Sequence, residues 1–458
     1  MPRPAAAHET FLAHGVGGPS DLPIPASYAY VAAAFALLVS FGILGLAWRE
    51  SRFHGDDSGR PMWPWLARIV DSRVTHAVVV VVALTYTAWV VMAAVFGKDI
   101  LVNPTFGAAF VLLWVGLVPA SLLFGPIYRL CNPLRWLHRG ISAATGTDYR
   151  RGLQDFPARL GLWPASFFLL AFVWLELIDP SLSSSLSSVR LWFGVVAALL
   201  MVGAAVYGDT FFARSDPFEV YSGLVARLSP FGRRTDGLLV VRNPLENLDG
   251  LKPRAGLVAV VSVLFGSTAF DSFKESSRWL RFAQSYNTHQ TLLNTIALLS
   301  FCLIVFVSFS LAAILTGGLG HTDEGDEETP RVRRRDLPNL FAHSIVPIVI
   351  GYIVAHYLSF FVSTGIATLQ DMGDPLSRGW TLTSFLNDVN KYAIYTHPTG
   401  LAVTKVIAVV TGHVVGVVAA HDRAVRLLPR RHALVGQLPM LVLMVAYTLT
   451  GLFLLFSS

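Results

Sequence analysis

The sequence predicts an all-α integral membrane protein of about ten transmembrane helices, with both termini on the non-cytoplasmic side. Three observations carry this. Of 458 residues, 53% are hydrophobic and 14% charged, with a mean hydropathy of +0.56. Soluble domains carry roughly 25% charged residues, and a soluble chain this apolar could not cover its surface. Apolar runs recur along the chain, most of them near the roughly 20 residues that cross a bilayer. Lys and Arg alternate between successive loops, as membrane orientation requires.

The runs fall at about 28–48, 77–97, 107–128, 162–178, 190–207, 255–273, 290–317, 339–364, 397–420 and 438–456. In lipid each can pair its backbone groups only as a helix. The sixth is short and contains Gly and Ser, so it is the weakest span. Of the 35 Lys and Arg, 26 lie in loops after the odd-numbered runs and 7 after the even-numbered ones. The first set is therefore cytoplasmic. The net charge of +6 orients the chain in its membrane and implies no nucleic-acid partner. The lipid bilayer is the partner, and the plasma membrane the expected location.

Four segments follow from this pattern. Residues 1–27 form an extracytoplasmic segment carrying His8 and His14, with no apolar core of signal-peptide length. Residues 28–317 hold helices 1–7 and a long cytoplasmic loop at 208–254. That loop contains Ser215-Asp216-Pro217-Phe218-Glu219, a helix start in which Asp216 caps, Pro217 opens the first turn and Glu219 suits the dipole. The apolar stripe of Leu224, Val225 and Leu228 predicts a helix lying along the inner leaflet. Residues 318–338 form a charged linker with almost nothing apolar in it, expected to be disordered. Residues 339–458 hold helices 8–10. Cys131 lies in a basic loop and Cys302 in an apolar run, so no disulfide is expected.

Ionisable residues inside a membrane are costly and mark candidate sites. Runs 8 and 9 carry four histidines. His343, His413 and His421 fall at similar depth near the cytoplasmic face, and His356 lies roughly 20 Å further along run 8 at 1.5 Å per residue. Pro347 removes the bond to the His343 carbonyl and predicts a kink. Gly412, Gly416 and Ala420 recur every fourth residue, a spacing that lets another helix approach closely. If the two helices touch, His343, His413 and His421 converge with Asp422 beside them and Asp209 and Asp216 on the same side. Three imidazoles and a carboxylate suit a divalent metal, zinc first. His413 and His421 can share one ion only if the helix bends between them. The spacing of His343 and His356 also resembles paired b-haem ligands, but run 9 offers matching histidines at one level only. The alternative is that these histidines pack and hydrogen-bond between helices.

A second set sits at the opposite face: Glu176, Asp179, Asp271, His356 and Lys405. It suits a substrate or ion pathway, and a charge pair across the bundle suits a proton-coupled transporter. The chain holds no HExxH, HxH, CxxC, GxSxG, Walker A or GxGxxG motif, which takes most of the weight from the soluble-type metallohydrolase, serine hydrolase and nucleotide-driven readings.

The segments AHGVGGPSDLPIPASYAYV, RSDPFEVYSGLVARLSPFG, GSTAFDSF and TGHVVGVVAAHDRAV resemble actinobacterial polytopic membrane proteins labelled fenitrothion hydrolase, over most of the chain. The resemblance implies hydrolysis of an organophosphate P–O bond in a small-molecule substrate. His343, His413 and His421 would then hold the metal, whose bound water reaches a pKa of roughly 7. Asp209, Asp216 or Asp422 would orient or deprotonate that water. The competing classes are a transporter of a metal ion or small solute and a b-haem or assembly subunit of a membrane complex.

Overall fold

The computed structural model describes residues 18–286, 289–316, 332–428 and 435–456. All ten apolar runs are helical: α1 Ala26–Ala47, α2 Arg73–Phe96, α3 Pro104–Phe124, α4 Trp163–Leu177, α5 Leu186–Tyr207, α6 Leu257–Lys274, α7 Gln290–Leu315, α8 Val346–Asp371, α9 Pro398–Leu427 and α10 Leu438–Leu455. Among the described residues, eight helices are long and apolar enough to cross a membrane by length and composition. A ninth span is α3, whose halves Pro104–Leu113 and Leu117–Phe124 meet at 45°. The bend coincides with a π-helical stretch, Ala108–Leu113, where Trp114 N–H bonds to Ala109 O at 3.2 Å and Gly116 N–H to Val111 O at 2.8 Å. Such widened turns are a recognised cause of helix kinks. α4 has 15 residues and is a shorter apolar helix. The chain is an all-α polytopic membrane protein.

Two compact units interleave along the chain. The first takes Gly59–Arg242 and Ser359–Ile394, hence α2 to α5 and the second part of α8. The other takes Thr10–Ser58, Asn243–Leu358 and Tyr395–Ser458, hence α1, α6, α7, the first part of α8, α9 and α10. The units therefore do not follow the four segments read from the sequence. Residues 1–17, with His8 and His14, and most of the 318–338 linker lie outside the described residues.

The first unit is built on aromatic packing. Phe172 of α4 contacts Phe110, Trp114, Trp192 and Phe218 at centroid separations of 5.1 to 5.8 Å. Only 11% of the most apolar stretch of α2 is buried. Val74, Val78, Val81 and Val82 stand exposed along it, which is stable only against lipid. The part of the 208–254 loop up to Arg242 folds into the first unit. Asp216 caps the helix Pro217–Val225 by accepting from Phe218 and Glu219 N–H, as expected. The helix does not lie on a surface, however. Every residue except Gly223 is buried, because Phe218 and Tyr221 complete the aromatic core. Beyond it, Phe231–Arg233 and Leu239–Val241 form an antiparallel hairpin, with Arg60–Pro61 on the other side of the second strand. This small sheet was not foreseen.

In the second unit α6, the weakest span by hydropathy, is the most buried at 83%. Its small residues serve packing. A Cβ on Gly266 would lie 2.7 Å from Cys302 Cα of α7. Helices 8 and 9 do touch, through backbone. A Cβ on Gly412 would stand 2.5 Å from Pro347 O, one on Gly416 2.6 Å from Ser344 O, and one on Gly351 2.4 Å from Ala408 O. Lipid offers no hydrophobic drive between helices, so close backbone approach carries the association. Gly412→Ala must force these backbones apart and should destabilise by about 1–3 kcal/mol. Thermal unfolding in detergent reads this, and an unchanged midpoint would contradict the close approach. Cys131 and Cys302 are both free thiols.

Candidate functional site

Pro347 does not leave the His343 carbonyl free. The chain tightens into a 3-10 turn, Ala342–Ile345, and His343 O accepts from Val346 N–H. His343 itself is buried, with Nδ1 3.0 Å from Leu340 O and Nε2 3.3 Å from Ala419 O. His421 sets Nε2 3.0 Å from Trp48 O and Nδ1 3.0 Å from Gln437 Oε1. His413 is fully buried, with Nδ1 on Val409 O at 2.8 Å and no hydrogen-bond partner for Nε2 among the described residues. The expected convergence of His343, His413 and His421 is not found: each ring addresses its own neighbours, and the one nitrogen of a neutral ring that donates to a carbonyl cannot ligate. No group of three or more His, Cys, Asp or Glu able to hold a metal ion occurs among the described residues. These residues do not fit zinc. Nor does the haem spacing fit, because both nitrogens of His356 are engaged elsewhere.

The three candidate catalytic aspartates are also occupied. Asp422 accepts from Trp48 Nε1 at 3.0 Å, Ser51 Oγ at 2.8 Å and Arg52 N–H at 2.7 Å, tying the end of α9 to the chain after α1. Nearby, Arg423 and Arg426 both reach Asp249, at 2.8 and 2.6 Å. Burial alone would push the Asp249 carboxyl up, but the Arg426 hydrogen bond and the Arg423 charge hold it below the ordinary range. Asp209 and Asp216 belong to the first unit, where Asp209 pairs with Arg135 and Asp216 with Asn132. This arginine is fully buried. Its Nε and Nη2 donate to the two oxygens of Glu219 at 2.6 Å each, and Nη1 pairs with Asp209. Arg139 approaches Asp209 at 3.7 Å. Asn132 caps the helix Pro133–Thr145 and donates to Asp216 at 2.9 Å.

Burial, then the neighbouring Glu219 charge, pushes Asp216 up to about 7. A carboxyl raised in this way holds its proton in the folded state where the unfolded chain has lost it. Its contribution is present in mild acid and lost as pH rises from the ordinary carboxylate range through about 7. Asp216→Asn, which keeps the amide's donor and acceptor, should flatten the thermal midpoint over that window. A wild-type slope that survives in the variant would assign the titration elsewhere.

The strongest polar constellation lies on α6 and α8 of the second unit. Asp271 Oδ2 accepts from Tyr357 Oη at 2.6 Å and stands 3.0 Å from His356 Nε2; Asp271 Oδ1 pairs with Lys274 Nζ at 2.9 Å. On the other edge of the imidazole, His356 Nδ1 is 3.1 Å from Ser272 Oγ, which also accepts from Tyr352 Oη at 2.9 Å. Asp271, Ser272, Tyr352, His356 and Tyr357 are all buried. Just past α6, Glu275 is pushed up to about 7, first by burial and then by the Asp271 charge, against the charges of His356, Lys274 and Lys405. Lys405 is buried rather than snorkelling and lies in the field of Asp21 and Glu275. Of the expected pathway residues, His356 and Lys405 thus belong to one electrostatic cluster with Asp271. Glu176 and Asp179 belong to the first unit, where Asp179 caps the turn Pro180–Ser183.

Sequence reasoning placed Asp271 in the same outer set as His356 and Lys405. It missed Ser272, Lys274, Glu275, Tyr352 and Tyr357. The available signal was the i, i+1 and i, i+3 clustering of polar residues in AFDSFKE at the end of an otherwise apolar run. Fold and site define the class: a multi-pass, all-α membrane protein with a buried ionisable cluster inside its helices. No protein-family model, curated protein or solved structure matches the chain.

Proposed function

We propose that the chain is a plasma-membrane transporter of a small solute or ion, coupled to proton movement at Asp271 and His356. One observation carries the reading: a carboxylate inside a spanning helix, gripped at once by an imidazole, an ammonium and a phenol. Ionisable side chains at that depth are retained for proton relays and ion pathways. A proton arriving on Asp271 would weaken its hold on Lys274 and His356 together. It would thereby bias the packing of α6 against α8, the differential interaction that a two-state carrier needs. The Lys and Arg asymmetry between loops supports the plasma membrane with loop 208–254 inside. Reconstituted protein with an internal pH dye tests the reading. A panel of small solutes should produce proton flux with at least one, and flux absent across the panel with intact protein would sink the carrier.

A second reading rests on a separate observation and on the resemblance to proteins labelled fenitrothion hydrolase. Ser272 Oγ, His356 and Asp271 stand in the order hydroxyl, imidazole, carboxylate at 3.1 and 3.0 Å, the order of an activated serine. Ser272 Oγ would attack the phosphorus of a phosphotriester, its proton passing to His356 and the phenol leaving; water would then release the phosphoryl group from Ser272. The full burial of Ser272 ranks this reading second. A fluorophosphonate probe that labels wild type but not Ser272→Ala would move it first. A metal-dependent hydrolase or a b-haem subunit finds no support in the histidine geometry.

A further inference from the structure

The first unit contains a cavity of about 160 Å³ between the π-helical part of α3 and the last turns of α8. Phe106, Phe110, Val111 and Phe360 supply apolar walls, and Asn103, Thr364, Thr368 and Asp371 the polar ones. Its base is set by glycine: a Cβ on Gly107 would fall 1.8 Å from Thr368 Oγ1, so only glycine lets α3 approach there. The π-turn spreads the backbone beside Phe110 and Val111, and such turns recur at functional sites. A cavity near 150 Å³ lined by apolar side chains accepts a benzene-sized molecule. This one adds a carboxylate. Asp371 makes no ion pair or side-chain hydrogen bond among the described residues; the charged neighbour that acts on it is Lys391.

We propose that this cavity binds a small organic cation: a primary amine carrying one aromatic ring or a branched alkyl group of similar size. The ring would fill the space among the three phenylalanines, whose faces also attract a cation. The ammonium would pair with Asp371, a charge-assisted contact. An organic anion is excluded by the same carboxylate. This site is independent of the transport reading, since it requires binding only.

Benzylammonium and benzyl alcohol differ mainly in charge and make the test. Titration calorimetry on the detergent-purified full chain at neutral pH should show saturable benzylammonium binding about tenfold tighter than benzyl alcohol. Asp371→Asn should remove most of that difference while leaving the alcohol unaffected. Ala367→Phe, which fills the cavity, should abolish both. Absence of saturable benzylammonium binding overturns the proposal, as does equal binding of the two probes to wild type. A preference unchanged in Asp371→Asn overturns it too. The wild-type comparison alone decides if a variant does not fold.

Discussion

Arg135→Met should cost about 3–5 kcal/mol of stability, the range for breaking a buried ion pair by removing one partner. The guanidinium is 0% exposed, and its partners Glu219 and Asp209 are 7% and 16% exposed. Without it, two carboxylates remain with little water, Asp209 with the half-buried Arg139 at 3.7 Å and Glu219 with only the exposed Arg129 at 4.0 Å. Asp216, already pushed up to about 7, sits in the same network through Asn132 and has no further charge to give below that pH. The network also holds the capped helix Pro217–Val225 to the helix Pro133–Thr145, so the loss propagates into the aromatic core through Phe218 and Tyr221. The companion variant is Arg135→Met with Glu219→Met. Replacing both ends of a buried pair by apolar groups is often near neutral, so the double variant should recover much of the loss. A double-mutant cycle in detergent measures the coupling. If Arg135→Met alone leaves the unfolding midpoint unchanged, the bidentate pair contributes nothing and the account of this unit is wrong.

That arginine shows what a sequence hides. The alternation of Lys and Arg between loops agreed with ten apolar runs, all of them helical, of which eight, or nine with the bent α3, are long and apolar enough to span. The same count treated Arg135 and Arg423 as orienting charges in water, whereas both are buried against Glu219 and Asp249. Hydropathy cannot tell a loop that floats from one that folds back, so the burial of Pro217–Val225 was illegible even though its Asp216 cap was plain. Periodicity served better. Gly412 and Gly416 at fourfold spacing announced the close approach of α8 and α9. The histidines misled for a physical reason. Equal depth is necessary for convergence, but rotation about the helix axis decides which neighbour a ring meets. His421 turned to Trp48 and Gln437, partners 373 and 16 residues away. Low hydropathy in α6 read as weakness, yet a helix that carries Asp271, Ser272 and Gly266 is less apolar because it sits inside the bundle.

Asp271→Asn is therefore the substitution expected to act most strongly on function. Asparagine preserves volume and can still meet Tyr357 and His356, so the fold should survive better than with alanine. It removes the charge that pairs with Lys274 and the site that would accept a proton. Positioned proton-transfer groups contribute roughly 10²–10⁴-fold to a rate, and proton-coupled flux should fall by at least the lower end of that range. Lys274→Met tests the other end of the pair. Its ammonium is partly exposed, at 25%, so removing it should slow flux less than removing the carboxylate. Ser272→Ala separates the two functional readings on the same cluster. A carrier that uses Asp271 and His356 should keep most of its flux when one hydroxyl is lost. A serine-based hydrolase should lose all phosphotriester cleavage, and Asp271→Asn should then reduce cleavage without touching any flux. Flux retained in Asp271→Asn, with the protein folded by size exclusion, would reduce the cluster to a structural tie between α6 and α8.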